Sequence, residues 1–274
     1  MKLALIADIH ANLPALQAVL DDIVAAGADR IVCLGDIVGY NTQPAECVAA
    51  IRGLDALCVA GNHDLAVCGR IPTKSFGGAA VRALAWTQRC LGRDDLNFLA
   101  GLPLKAVIGG KLIAVHGALH PQTDRATVRL DSDERRLQSF QALIADPSGA
   151  RICAFGHTHH VGIHEFRHGR ATALSEAKVS LRDDAYYLIN PGTVGQPRER
   201  DRRASYMIVD LKERMLSVHR VAYDLSMSLA ATRQAGLAPA LAFVPAPVRL
   251  SLATGLRALR LDRPVRQFAG LLGL

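Results

Sequence analysis

Apolar runs at residues 3–7, 30–34, 56–60, 112–115 and 152–155 each break off into a polar cluster, and in the first half of the chain such runs alternate with stretches of helical periodicity. That alternation predicts βαβ units feeding a largely parallel sheet. Residues 3–7 form the first predicted strand. Asn12 is placed to cap a helix that carries Pro14 in its first turn, where a missing N–H costs nothing, and Gly27 to end it. The strands at 30–34 and 56–60 are joined by a helix starting near Pro44, and 76–91 and 94–100 read as surface helices.

From residue 104 the texture changes. Residues 104–108 and 112–115 flank Gly109-Gly110 and predict a hairpin. A helix over 131–145 follows, then strands at 152–155, 161–166, 171–174 and 186–189, with a tight turn at His168-Gly169 and a further hairpin from 205–210 and 215–221. Parallel units followed by antiparallel hairpins predict an α/β fold of two sheets packed face to face with helices outside. No linker rich in Pro, Gly or Ser precedes residue 235, and there is no repeat or low-complexity tract.

Composition narrows the class. Half of the 274 residues are apolar and 21% are charged, as in a globular domain. The opening apolar run is too short for a signal peptide, and nothing later reaches the roughly 20 residues of a membrane span, so the cytosol is the expected compartment. The six cysteines (Cys33, Cys47, Cys58, Cys68, Cys90, Cys153) form no C-x-x-C pair and are expected to be buried thiols. The net charge of +7 is concentrated at one end, where Arg249, Arg257, Arg260, Arg263 and Arg266 face only Asp262. Residues 1–246 are therefore predicted as the domain and 247–274 as a basic extension, either an amphipathic helix for a membrane surface or partner, or a helix docked on the domain. Nucleic acid is a candidate partner without a supporting motif.

The candidate chemistry sits where strands end. Asp8 and His10 follow the first strand, spaced so that both leave one face of an extended chain. The second strand runs into Gly35-Asp36, the third into Gly61-Asn62-His63-Asp64, the fourth into His116-Gly117 and the fifth into Gly156-His157-Thr158-His159. Each segment alone is acceptable turn chemistry. Together they place acids, imidazoles and an amide at the strand ends where α/β proteins bind ligands. Such donors, with no thiolate among them, suit Mn²⁺, Fe²⁺, Zn²⁺ or Ni²⁺ better than a structural zinc cage. The set is too large for one tetrahedral ion. Two ions about 3.5 to 4 Å apart, sharing a carboxylate, would use it and generate a hydroxide nucleophile for in-line attack on phosphorus.

In order and identity these five segments resemble the motif blocks of the calcineurin-like metallophosphoesterase superfamily. The likeness covers residues 1 to about 160. Asn190-Pro191-Gly192-Thr193-Val194-Gly195-Gln196-Pro197-Arg198 further resembles the Asn-Pro-Gly loop of its compact bacterial and archaeal phosphodiesterase branch (YfcE-like), extending the likeness to about residue 225. The resemblance implies a four-layer αββα sandwich of two mixed β-sheets flanked by helices. It implies that Asp8, His10 and His159 hold a first metal, that Asn62, His116 and His157 hold a second, and that Asp36 bridges them. His63 and Asp64 are the implied catalytic pair, His63 protonating the leaving oxygen or stabilising its charge and Asp64 orienting the His63 ring.

The implied activity is hydrolysis of phosphodiesters, with phosphomonoesters as further candidates, by a metal-bound hydroxide. Two divalent transition-metal ions are expected, manganese first, with iron, nickel, zinc or magnesium as alternatives. The favoured substrate is a small nucleotide-type phosphoester. Phosphoprotein or dinucleoside-polyphosphate phosphatases, and a non-catalytic scaffold on the same fold, are the rivals. Two positions depart from the branch: His160 stands where an aliphatic residue and Pro usually follow, and His116-Gly117-Ala118 lacks the usual Ser-Pro. Arg198 is a candidate phosphate contact, and the mixed-sign run 198–203 reads as a solvated loop.

Overall fold

The structure, a computed structural model, describes residues 1–120 and 127–237. Strand β1 (Lys2–Ile6) has no polar face: Leu3 and Leu5 point one way, Ala4 and Ile6 the other, and all four are fully buried. A central strand covered on both faces requires this double burial. β1 pairs in parallel with β2 (Arg30–Cys33), β2 in parallel with β3 (Leu57–Cys58), and β1 antiparallel with β11 (Ala204–Asp210). Beyond β11 lie β12 (Met215–Val221) and β9 (Lys178–Ser180), making six strands. A second six-stranded sheet runs in the order β4 (Lys105–Ile108), β5 (Leu112–Val115), β6 (Ile152–Ala154), β10 (Tyr186–Pro191), β7 (Val161–Arg167) and β8 (Arg170–Leu174), with β5, β6 and β10 parallel.

Three apolar clusters define four layers. Between the sheets, Leu3, Leu5, Val32 and Met207 meet Ile108, Leu112, Ala114 and Tyr187. On the outer face of the first sheet, Ala4 and Ile6 pack with Leu16 and Val19 of α1 (Leu13–Ala25), Val48 and Ile51 of α2 (Pro44–Gly53), Leu84 of α4 (Gly78–Cys90) and Leu99 of α5 (Arg93–Gly101). On the outer face of the second, Ile113, Val115, Cys153 and Leu188 pack with Phe140 and Leu143 of α6 (Asp133–Ile144). Each fully buried Leu or Ile contributes about 1.5 to 3 kcal/mol. This is the expected αββα sandwich. Helix α1 is started by Asn12, whose side chain accepts from the Ala15 amide at 3.3 Å.

Several expectations are corrected. The third strand, expected over 56–60, shrinks to Leu57–Cys58 because the chain turns at Gly61 into helix α3 (Asn62–Val67). Asn62, His63 and Asp64 therefore open a helix, and Asp64 at its third position accepts from the Gly61 amide at 3.0 Å, a capping contact. Six residues are too few to imprint a helical period on the sequence. Helix α6 begins later than expected, because Ser132 caps it by accepting from the Arg135 amide. Strand β9 and helix α7 (Leu225–Gln234), the latter capped by Asp224, were not among the predicted elements. All six cysteines are free, but only Cys33, Cys47 and Cys153 are buried; Cys58 and Cys68 are half-buried, and Cys90, the last residue of α4, faces solvent. The expected boundary at residue 246 and the basic extension lie outside the described residues. Among the described residues no helix is long and apolar enough to cross a membrane.

Candidate metal centre

The strands β1, β2, β5 and β6 deliver their following residues to one edge of the sandwich, but the chain does not stay extended there. Asp8, His10 and Ala11 have φ of 53°, 48° and 55°, which corrects the expectation that Asp8 and His10 share a face of extended backbone. Asp36, His157 and His159 are also left-handed, at 54°, 67° and 61°. Each such residue costs about 1 to 3 kcal/mol, so the surroundings must hold it. They do so through the main chain. The amides of Asp8, His10 and Ala11 bond the carbonyls of Gly35, Asp36 and Ile37 at 3.1, 2.9 and 2.9 Å. From the other side, Thr193 Oγ1 and the Gly195 amide donate to the Asp8 carbonyl at 2.8 and 3.0 Å. Gly195 must be glycine, because a Cβ there would collide with the Ile9 carbonyl.

The side chains converge on two adjoining clusters. In the first, His10 Nε2 lies 3.9 Å from Asp8 Oδ1 and 3.6 Å from Asp36 Oδ2, and His159 Nε2 lies 3.4 Å from Asp8 Oδ1. In the second, His116 Nε2 lies 3.3 Å from Asp36 Oδ2 and 3.1 Å from Asn62 Oδ1, and a ring nitrogen of His157 comes within 4.8 Å of both His116 and Asp36. Asp36 belongs to both. His63 also lies in reach, grouped with His10 and Asp36. All the expected site residues thus meet except Asp64, which lies beneath them.

Tautomers follow from the far side of each ring. His10 Nδ1 faces the Val38 carbonyl at 3.0 Å, His159 Nδ1 the Gln196 carbonyl at 2.9 Å, and His116 Nδ1 the Leu34 carbonyl at 2.7 Å. A carbonyl accepts only, so each Nδ1 carries a proton and, in the neutral ring that a metal requires, each Nε2 presents a lone pair. His10 Nε2 and His159 Nε2 then oppose one another at 3.2 Å as two acceptors, and His116 Nε2 opposes an amide oxygen and a carboxylate. Buried acceptors pointed at one another repel unless a cation stands among them. The donor set and its orientation fit divalent metal ions.

Charge tells the same story. Burial raises Asp8 to about 7, and it holds His10, His157 and His159 well below the ordinary imidazole range and lowers His63 to about 4. Burial also pushes Asp36 up, but His116, His63 and His10 outweigh it and keep this carboxyl well below the usual range. His116 is pushed down by burial and raised further by Asp36 and Asp8, ending at about 9. With no metal, His116 and Asp36 hold a proton between them at neutral pH, at the junction of the two clusters, while Asp8, raised to about 7, is partly protonated.

The sequence profile of the calcineurin-like phosphoesterase superfamily domain matches residues 1–214. The chain belongs to the calcineurin-like phosphoesterase superfamily. Among its relatives, the uncharacterized protein MJ0912 of Methanocaldococcus jannaschii is 39% identical over 228 residues, covering 81% of this chain and 88% of that protein. Among solved structures, a metallophosphoesterase from Sphaerobacter thermophilus matches with a TM-score of 0.73 and 35% identity over 89% of this chain and 98% of that one. The hypothetical protein PH1004 of Pyrococcus horikoshii OT3, with a TM-score of 0.70 and 18% identity over 86% and 94%, shares the fold.

Within this phosphoesterase domain one expected contact is absent. Asp64 does not orient the His63 ring. Its carboxylate accepts from the amides of Asp36 (2.8 Å), Ile37 (2.9 Å), Val38 (3.2 Å) and Gly61 (3.0 Å), and His63 Nδ1, though buried, has no hydrogen-bond partner. Four main-chain donors leave this carboxylate nothing to offer a ring. His160 is exposed, its Nδ1 facing the Thr158 carbonyl at 2.7 Å. The run 198–203 is less solvated than expected, because Glu199 accepts from the Val161 amide and pairs with Arg220, while Arg203 pairs with Asp201. The loop that follows Ala118 is partly outside the described residues.

The Asn-Pro-Gly segment is a brace. Asn190 Nδ2 donates to the Gly156 carbonyl and Thr158 Oγ1 at 2.9 and 3.0 Å, and Gln196 supplies the carbonyl behind His159. Sequence reasoning did not find the carbonyls of Leu34, Val38 and Gln196, since a backbone oxygen leaves no mark on residue type. It also missed Tyr40, whose ring stands 4.7 Å from His10 and 4.6 Å from His63. Gly39, the glycine beside it, was the available signal.

Proposed function

We propose that the protein is a dinuclear, metal-dependent phosphoesterase that hydrolyses phosphodiesters, with phosphomonoesters as secondary substrates and nucleotide-type small molecules as the substrate class. The observation that carries this reading is the pair of opposed acceptor clusters joined by Asp36. Asp8, His10, His159 and Asp36 would hold one ion, and Asp36, Asn62, His116 and His157 the other, manganese being the first candidate. Two divalent cations there would supply an activated water and offset charge gathering on the phosphoryl oxygens.

The chain's own residues supply the rest. Leu34, Val38 and Gln196 fix the imidazole tautomers through their carbonyls. His63, neutral at neutral pH and with Nδ1 lacking an acceptor, keeps its proton on Nε2 and serves as hydrogen-bond donor to the leaving oxygen. Asp64 is a positioning residue that secures the loop bearing Asp36. The Arg198 side chain makes, among the described residues, one long hydrogen bond, to Gln196 Oε1 at 3.4 Å, and its charge acts on Asp8 and His159, which favours an anionic ligand. Six free cysteines suit a reducing compartment, the cytosol.

The test is hydrolysis of bis(p-nitrophenyl) phosphate and p-nitrophenyl phosphate by EDTA-stripped protein with Mn²⁺, Ni²⁺, Zn²⁺, Mg²⁺ or no metal returned. Metal-dependent turnover that favours the diester supports the reading. A monoester preference would move it to a phosphatase, and silence with every metal would contradict it.

A further inference from the structure

The His63 ring is buried, and no hydrogen bond orients its Nδ1. Its amide donates to Asp36 Oδ1 at 2.8 Å, which fixes the backbone but leaves the ring free to turn about χ1 and χ2. The ring is buried, Nδ1 is unpartnered, and Asp64 is committed to main-chain donors. Packing surrounds it instead. The Tyr40 ring stands 4.6 Å away at an interplanar angle of 44°, and Phe76 meets it edge-on at 5.1 Å and 86°. His10 closes a third side at 4.8 Å and 76°. Gly39 lies flush against Nδ1, where a Cβ would collide with the imidazole.

The loop that brings Tyr40 here is held under strain. Tyr40 has a φ of 60°, a left-handed conformation that costs a non-glycine residue about 1 to 3 kcal/mol. Asn41 holds it in place. Both its amide and its Nδ2 donate to the His10 carbonyl, at 3.2 and 2.8 Å, and Thr232 of α7 donates to Asn41 Oδ1 at 3.4 Å. A strained tyrosine, tied to one candidate metal loop and pressed against two site imidazoles, points to a task at the site.

We infer that Tyr40 is the positioning residue for His63: its ring, with Phe76, forms an aromatic clamp that sets the imidazole plane beside Asp36, in the place a hydrogen-bonded orienter would occupy. The inference rests on the reading of His63 as donor to the leaving oxygen. Alignment matters there because a hydrogen bond weakens steeply once its angle falls below about 120°.

The test uses the full chain with Tyr40→Ala and Tyr40→Phe, and with methyl p-nitrophenyl phosphate and methyl phenyl phosphate as probes. Phenolate is the more basic leaving group and depends more on a donor. Tyr40→Ala is expected to lower kcat for the phenyl ester about 10-fold more than for the p-nitrophenyl ester, at unchanged metal content. His63→Ala gives the same bias, and adding Tyr40→Ala to it changes the ratio no further; Tyr40→Phe keeps the wild-type ratio. In metal-free protein, NMR relaxation of ¹³Cε1-labelled histidines is expected to show a rigid His63 ring in wild type and Tyr40→Phe and a mobile one in Tyr40→Ala. A rigid ring in Tyr40→Ala, or equal losses on both esters, overturns the inference. If His63→Ala shows no leaving-group bias, the donor reading fails, while the relaxation result still decides whether Tyr40 holds the ring. Should Tyr40→Ala not fold, Tyr40→Leu fills the space without a ring and carries the same comparison.

Discussion

The carboxylate of Asp64 accepts the amide of Asp36 at 2.8 Å, and the carboxylate of Asp36 accepts the amide of His63 at 2.8 Å, so the loops after β2 and β3 are laced together by an exchange of one carboxylate each. Gly61 makes the approach close enough, since a Cβ there would collide with Asp36. Asp36 reaches both side-chain clusters because Asp64, beneath it, has fixed its backbone.

Asp64→Asn tests that lacing. An amide has one acceptor oxygen where the carboxylate has two, and its NH₂ would face main-chain donors, leaving buried N–H groups unpaired at about 1 to 3 kcal/mol each. Denaturant unfolding of the metal-free variant should show a loss of about 2 to 4 kcal/mol. Unchanged stability would show that the main-chain contacts of Asp64 contribute little.

Asp36→Asn and His63→Ala should separate binding from catalysis. Asp36→Asn removes the charge common to both clusters, so metal content and turnover should fall together. His63→Ala should slow diester hydrolysis about 10²-fold or more while metal content, read by elemental analysis, stays normal. Loss of metal in His63→Ala would instead make His63 a ligand, which its grouping with His10 and Asp36 permits.

How much of this was legible in the sequence depended on what each residue owes to its own type. The αββα layering and most strands followed from apolar runs, and the gathering of acids and histidines at one edge followed from their places at strand ends. Left-handed φ at Asp8 and His10 was not legible, because it is imposed by the Gly35 and Thr193 loops from far along the chain. Helix α3 was hidden by its shortness. The role of Asp64 was misread because its partners are backbone amides, and the place of Tyr40 beside His10 and His63 depends on a loop conformation that leaves no pattern in the sequence.

Gly195→Ala should be severely destabilising although Ala is otherwise a mild change. The added methyl meets the Ile9 carbonyl, and relief requires the loop behind His159 to move. Thermal melting should fall by several degrees and metal affinity should drop with it. A variant with wild-type melting and metal binding would show that this brace yields freely.

Stability of the metal-free protein should fall in acid. His10, His63, His157, His159 and His164 are all lowered by burial, His63 and His164 to about 4. For a lowered histidine the unfolded chain takes up its proton first, near 6.5, so its stabilisation is complete above that pH and lost as pH falls toward about 4. Asp8 and Asp64, raised to about 7 by burial, act in the opposite sense over the same window but are fewer. His116, raised to about 9, contributes stability that is full below 6.5 and lost as pH climbs to about 9. Urea midpoints in EDTA should therefore peak near pH 6.5 and fall on either side. A midpoint that rises steadily toward pH 4.5 would contradict the burial of neutral imidazoles.

The most direct measurement of the central claim is a titration of metal-free protein with Mn²⁺, reading ions bound per chain and hydrolysis of bis(p-nitrophenyl) phosphate in the same samples. The account predicts two ions per chain, with turnover rising as the second is taken up, and neither in Asp36→Asn. Binding of a single ion that gives full turnover, or no binding at all by wild-type protein, would contradict a dinuclear phosphoesterase centre.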